Sequence, residues 1–150
     1  VKPVFKSNSK YVTVDKKGKI TIAKNFIGVA KITIVAPETN HYLSGKKVIT
    51  ITVNPAVNSI SHVTNSKGKK MVIKWTKDTR VTGYEIKYTT DINFKKCVNR
   101  FTRSASTTSA TVSKLPKNKT YYIQIRTYKT INGKKYYSKW SSIKAVKITK

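Results

Sequence analysis

The chain has a single cysteine, so no internal disulfide framework or cysteine-rich zinc site is available to it. Two histidines and five acidic residues leave little material for acid–base or metal chemistry. Six glycines and four prolines are too few for a collagen-like or low-complexity chain. No run of about 18 apolar residues occurs, so no membrane insertion is expected. No charged stretch followed by an apolar one opens the sequence, so no signal peptide is expected there, and a chain beginning at Val1 reads as a segment of something longer. No stretch shows a capped apolar stripe of helical period.

What is present is charge of one sign on an apolar scaffold. The 150 residues hold 32 Lys and Arg, for a formal net charge of +27. Nine tyrosines, two tryptophans and abundant Val and Ile give the apolar payload that disordered chains lack. The charge is spread along the chain: residues 1–54 hold ten lysines and two acids, and residues 55–150 hold 22 bases and three acids.

Apolar residues recur at period two, bounded by turn residues, which is the signature of strands. Val12 and Val14, then Ile20 and Ile22, flank Asp15-Lys16-Lys17-Gly18 and predict a hairpin with Gly18 at positive φ. Ala30, Ile32, Ile34 and Ala36 share one face of the next strand. After a polar loop over 37–45, Ile49, Ile51 and Val53 alternate with threonines until Asn54-Pro55. The rhythm then restarts with Met71, Ile73 and Trp75, with Tyr84, Ile86 and Tyr88, with Ala110 and Val112, and with Tyr121, Ile123 and Ile125. Asn132-Gly133 marks a tight hairpin, and Val146 and Ile148 close the chain. The expected fold class is all-β, in two consecutive immunoglobulin-like sandwich units: residues 1–54, a linker over 55–58, and residues 59–150. The expected core of the second unit is Trp75, Tyr84, Ile86, Tyr88, Leu115, Tyr121, Ile123 and Ile125.

The Trp75 strand, Gly83-Tyr84-Glu85-Ile86-Lys87-Tyr88 and Leu115-Pro116-Lys117-Asn118-Lys119-Thr120-Tyr121 resemble a fibronectin type III domain of bacterial surface proteins. The resemblance implies that Trp75 is the core tryptophan of the second strand. It also implies a tyrosine corner, with the Tyr121 hydroxyl bonded back to the backbone across the preceding turn. Tyr137-Ser138-Lys139-Trp140-Ser141 resembles half of the Trp-Ser repeat of cytokine-receptor domains. In the first unit, Val12–Asp15, Gly18–Ile22, Gly28–Ile34 and Ile49–Val53 resemble the later part of a bacterial immunoglobulin-like domain. On that template, four or five of about seven strands are present and the first ones are missing.

Chemistry-bearing residues are scattered. Cys97 has no histidine nearby in sequence and reads as a plain thiol. Asp15, Glu38, Asp78, Glu85 and Asp91 fall at turns or on outward strand positions, so no carboxylate pair for glycoside hydrolysis is expected. Asn118-Lys119-Thr120 fits a glycosylation sequon, and the tyrosine-corner turn explains it better. No catalytic site, metal or cofactor is expected.

Two binding features remain. Tyr122, Arg126 and Tyr128 point outward on the Tyr121 strand, and with Trp140 form a candidate stacking or ligand face, Trp140 lying over Arg126. Lys67, Lys69 and Lys70, the lysines from Lys114 to Lys119, and Lys134 and Lys135 are candidate polyanion contacts, and exposed lysines also guard sheet edges. The resemblance implies a non-catalytic spacer or adhesion module of a secreted bacterial surface or cell-wall protein. Its partners would be neighbouring modules and a cell-wall or host polyanionic glycan, without specific nucleic-acid recognition. The alternatives are an accessory carbohydrate-binding module of an extracellular hydrolase and a dedicated polyanion-binding protein.

Overall fold

A computed structural model describes residues 2–150. The chain divides into two compact units, Val1–Val53 and Asn54–Lys150. All regular structure is antiparallel β.

The first unit contains β1 (Val4–Ser7), β2 (Val12–Val14), β3 (Ile20–Ile22), β4 (Gly28–Ala36) and β5 (Gly45–Val53). One sheet runs β1-β4-β5 and the other is the β2-β3 hairpin, whose turn places Gly18 at φ 83° as the alternation predicts. The core is small: Val12, Ala30 and Ile32 are buried, with Val14, Phe26, Ile34 and Ile51 packed around them. Ala36, which shares its face with the buried Ala30 and Ile32, is itself exposed at the end of β4. Ile20, Ile22, Val48 and Ile49 are exposed as well. Five strands stand where a complete sandwich has about seven, and β5 is an edge with one neighbour. In native-state hydrogen exchange, the amides of residues 29–36 and 47–53 will therefore exchange faster than those of residues 121–127. Equal protection in a monodisperse monomer would show the first unit to be self-sufficient.

The second unit contains β6 (Ile60–Ser66), β7 (Lys70–Trp75), β8 (Gly83–Thr89), β9 (Val98–Phe101), β10 (Ser109–Val112), β11 (Thr120–Ile131), β12 (Lys134–Tyr137) and β13 (Lys144–Lys147). One sheet is β10-β7-β6; the other is β12-β11-β8-β9, with β13 also on β11. All eight expected core residues are buried between the sheets, joined by Met71, Ile73, Val112 and Ile148. Residues 55–58 are tied to this unit. Pro55 is buried, the Ala56 carbonyl accepts a bond from Thr127 Oγ1 (2.9 Å), and Asn58 Nδ2 donates to the Thr76 carbonyl (2.8 Å).

Two backbone features shape the larger sheet. Asn132 and Gly133 take φ of 49° and 77°, so β11 and β12 meet in the tight turn that Asn-Gly favours. Between the pairs Tyr128↔Tyr137 and Ile123↔Lys144 there are five steps on β11 and seven on its partner. The last strand therefore bulges out between β12 and β13. At Gly83 the backbone approaches β9 closely: a Cβ there would lie 2.1 Å from the Thr102 carbonyl oxygen. Gly83→Ala must push β9 away and will cost about 2 kcal/mol, measured by urea denaturation.

Candidate functional site

The bulge in the last strand builds the outer face of the larger sheet. Ser138 and Ser141 are buried, and their hydroxyls accept the backbone N–H groups of Thr127 (3.1 Å) and Ile125 (3.0 Å). Their own N–H groups donate to the carbonyls of the same two residues. The segment Tyr137-Ser138-Lys139-Trp140-Ser141 is thus an aromatic–serine unit repeated after three residues, with Tyr137-Ser138 filling the half that sequence comparison leaves empty. Each serine zips the bulge onto β11, and each aromatic ring is laid over Arg126.

The result is a ladder of alternating rings and cations. The Arg126 guanidinium lies 3.8 Å from the Tyr137 ring centre and 4.4 Å from that of Trp140. Lys87 Nζ lies 4.2 Å from Trp140 and 4.6 Å from Phe94. Beneath the ladder Arg126 Nε donates to Glu85 Oε2 at 2.6 Å, and Asn99 Nδ2 donates to Glu85 Oε1 at 3.0 Å. Glu85 was expected to be solvated on an outward position. It is 2% exposed, because the bulged segment and Arg126 roof the outer face.

The four expected stacking residues do not form one platform. Arg126 and Trp140 come together as anticipated. Tyr128 does not join them as an exposed ring. It is 3% exposed, its hydroxyl donates to the Thr102 carbonyl (2.7 Å), and it packs against Phe101 and Tyr137. Period two assigns it to the outer face correctly, but the β12 hairpin and Phe101 cover it. Tyr122 is half-buried beside Thr89, about 13 Å along β11 from Arg126.

The lysines fall into two sets. Lys134 and Lys135 sit at the β11–β12 hairpin, where Lys135 Nζ lies 4.5 Å from the Phe101 ring and 4.9 Å from that of Tyr128. Lys67, Lys69 and Lys70 lie at the turn between β6 and β7. That turn and the hairpin stand at opposite ends of β11, about 36 Å apart along the strand. The Lys69 N–H donates to the Lys150 carbonyl (2.9 Å), and the Lys69 carbonyl accepts from Leu115 (3.0 Å). Asn118 N–H donates to Ile148 (2.7 Å) and Ile148 N–H to Lys119 (2.9 Å). Three segments that are distant in sequence thus meet at one end.

Beside them opens a cleft of about 440 Å³, lined by Tyr88, Tyr121, Leu115, Pro116, Lys96 and Lys114. The expected tyrosine corner does not form. Tyr121 Oη has no hydrogen bond among the described residues, and the ring instead tilts against Tyr88 at 6.4 Å along the cleft wall. Burial pushes its pKa up, with Tyr88 adding to the rise, so the hydroxyl keeps its proton. The buried tyrosine hydroxyl network belongs to Tyr84, which accepts from the Asp78 N–H (2.7 Å) and donates to the Ala105 carbonyl (3.1 Å). A second cleft, of about 480 Å³, lies at the far end around Asn58, Thr76 and Asp78. There Arg80 closes on Asp78 at 2.9 Å, and that hydrogen bond holds the carboxyl below its ordinary pKa. No cluster of three His, Cys, Asp or Glu side chains capable of holding a metal occurs among the described residues.

Residues 55–144 match the profile of the fibronectin type III domain. The chain belongs to the fibronectin type III family. A solved "Myokine structure" is similar at 17% identity and a TM-score of 0.51, over 64% of this chain and 99% of that one. The chicken CNTN1 FN1–FN3 domains are similar at 17% identity and a TM-score of 0.55, over 88% of this chain and 45% of that one. This chain therefore spans less than half of the chicken structure, and at such identity the likeness is one of fold. No curated protein sequence matches. Fibronectin type III domains are typically non-catalytic modules, and a spacer or adhesion role is compatible with this one.

Sequence reasoning missed Lys87, Phe94 and the Tyr88–Tyr121 cleft in this domain, and it named Glu85 and Ser138 without the roles they take. The aromatic–serine repeat is the one local signal that pointed to the roofed face. The cleft has none, since its walls come from β8, β11 and two loops.

Proposed function

We propose that this chain is a non-catalytic spacer and adhesion segment of a secreted bacterial surface or cell-wall protein, which binds polyanionic glycans through its fibronectin type III domain. The observation that carries the binding is uncompensated charge. Of the 22 bases from residue 55 onward, only Arg80 and Arg126 are ion-paired among the described residues. The third acid, Asp91, is occupied by the backbone N–H groups of Asn93 and Lys95. Such a surface attracts polyanions over distances comparable to the Debye length. The resemblance of residues 1–54 to bacterial immunoglobulin-like domains supports the bacterial surface setting, with neighbouring modules as further partners.

The test is binding to heparin, teichoic acid, duplex DNA and neutral glucans at about 50 and about 200 mM salt. Affinity for the anionic polymers will fall by about tenfold or more across that range. Binding to neutral glucans alone, unchanged by salt, would replace this reading with that of an accessory carbohydrate-binding module.

A further inference from the structure

We infer that the cleft beside Tyr88 and Tyr121, together with the lysines gathered around it, is a site for an anionic polysaccharide, with one sugar unit in the cleft and its acid groups on Lys96 and Lys114. This deepens the glycan-binding reading and rests on it. A lysine surface without shape would hold any polyanion equally. Here the charge borders a shallow apolar hollow, in which Pro116 is exposed and Tyr88, Tyr121 and Leu115, otherwise buried in the core, reach the floor with 6–8% of their surface. The exposed Pro116 ring offers an apolar surface to the C–H face of a sugar, and the Tyr121 hydroxyl, without a partner among the described residues, offers a hydrogen bond to a ring substituent.

Backbone geometry gathers the cations. Leu115 N–H bonds the Lys69 carbonyl, which brings the β6–β7 turn beside Lys114, and Lys150 is held by Lys69 in turn. Lys69 and Lys114 both adopt left-handed backbone, at φ 56° and 59°, where glycine would be unstrained. On the other side Thr89 Oγ1 donates to the Lys96 carbonyl at 2.6 Å, fixing the loop that carries Lys96. Lys96 and Lys114 are exposed and neither is ion-paired among the described residues. A chain leaving the cleft toward Lys69 and Lys150 stays on cations, whereas Lys134 and Lys135 lie at the far end of β11 and take no part.

Cys97 lines the same cleft and is the only cysteine, so it reports occupancy in the intact chain. Alkylation of Cys97 by a maleimide is followed with a heparin hexasaccharide, with oligogalacturonate and with single-stranded DNA. Either saccharide should slow it about tenfold at saturation, and the tighter of the two assigns sulfate or carboxylate as the recognised acid. The paired substitution Lys96→Gln/Lys114→Asn, in which asparagine tolerates the left-handed backbone, should weaken saccharide binding about tenfold. Lys134→Gln/Lys135→Gln removes equal charge and should weaken it less than about twofold. Saccharide binding that leaves Cys97 unprotected, or equal losses in both variants, overturns the cleft site while sparing the polyanion reading. Equal protection by DNA overturns the saccharide class. Absence of binding to any of the three by the unsubstituted chain overturns the glycan-binding reading itself. Protection of Cys97 in the unsubstituted chain decides the matter even if a variant fails to fold.

Discussion

Trp75→Ala will cost about 3–5 kcal/mol of stability in the fibronectin type III domain. Trp75 is 3% exposed and tilts against Tyr84, with ring centres 5.4 Å apart, in the middle of the cluster that joins the two sheets. Its removal takes a large apolar surface from the core and leaves a cavity that paired strands cannot close. The indole Nε1 is buried without a hydrogen-bond partner among the described residues, so packing alone holds the side chain. Trp75→Phe should therefore cost only about 1–2 kcal/mol, since it keeps a ring and abandons no hydrogen bond. Urea denaturation followed by circular dichroism reads both variants. A loss below about 1 kcal/mol for Trp75→Ala would mean that the two sheets do not depend on this contact.

Arg126→Ala should cost about 3 kcal/mol, more than its partly exposed position suggests. Tyr137 loses its cation and Trp140 keeps only Lys87, but the larger effect is on Glu85. That side chain is 3% exposed and would keep only the Asn99 hydrogen bond, leaving a carboxylate buried without its counter-charge. The cost should fall near the lower limit for broken buried pairs, because Arg126 is itself 25% exposed and water can enter where it stood. Glu85→Gln alone should cost about 1 kcal/mol, because the arginine it frees can turn to solvent. In the Arg126→Ala background, Glu85→Gln should recover most of the loss. Both tryptophans lie in the second unit, so their fluorescence reports its unfolding alone. No rescue by Glu85→Gln would show that Arg126 serves as a packing element and that the ion pair contributes little.

The ladder and the cleft divide the second unit into parts with different uses. In the ladder both cations, Arg126 and Lys87, already have rings and Arg126 already has its carboxylate, so a ligand would have to displace partners to bind there. At the lysine-rich end, the cations have no such partners and the tyrosine hydroxyl is free. Aromatic residues near basic ones thus mean two different things in one small domain. What separates them is whether the chain itself has satisfied the charge.

The strands were legible because a sheet buried on one side imposes period two on its side chains, and Met71 to Trp75, Tyr84 to Tyr88 and Tyr121 to Ile125 keep that period without a break. The Asn132-Gly133 hairpin was legible because left-handed backbone at both positions narrows the residue choice. Net charge was a matter of counting. Alternation assigns a residue to a face but does not say what lies over that face. Glu85 and Tyr128 were placed on the outer face correctly and are nonetheless buried, because a bulge more than forty residues from Glu85 and the Phe101 strand cover them. The tyrosine-corner spacing was present at Tyr121, yet the hydrogen bond depends on where the preceding turn rests, and that turn is drawn to Lys69 and Ile148. The gathering of Lys69, Lys114 and Lys150 beside the Tyr88–Tyr121 cleft was equally a decision of the tertiary structure. It rests on backbone hydrogen bonds between segments far apart in the chain, and no local pattern of side chains encodes such bonds.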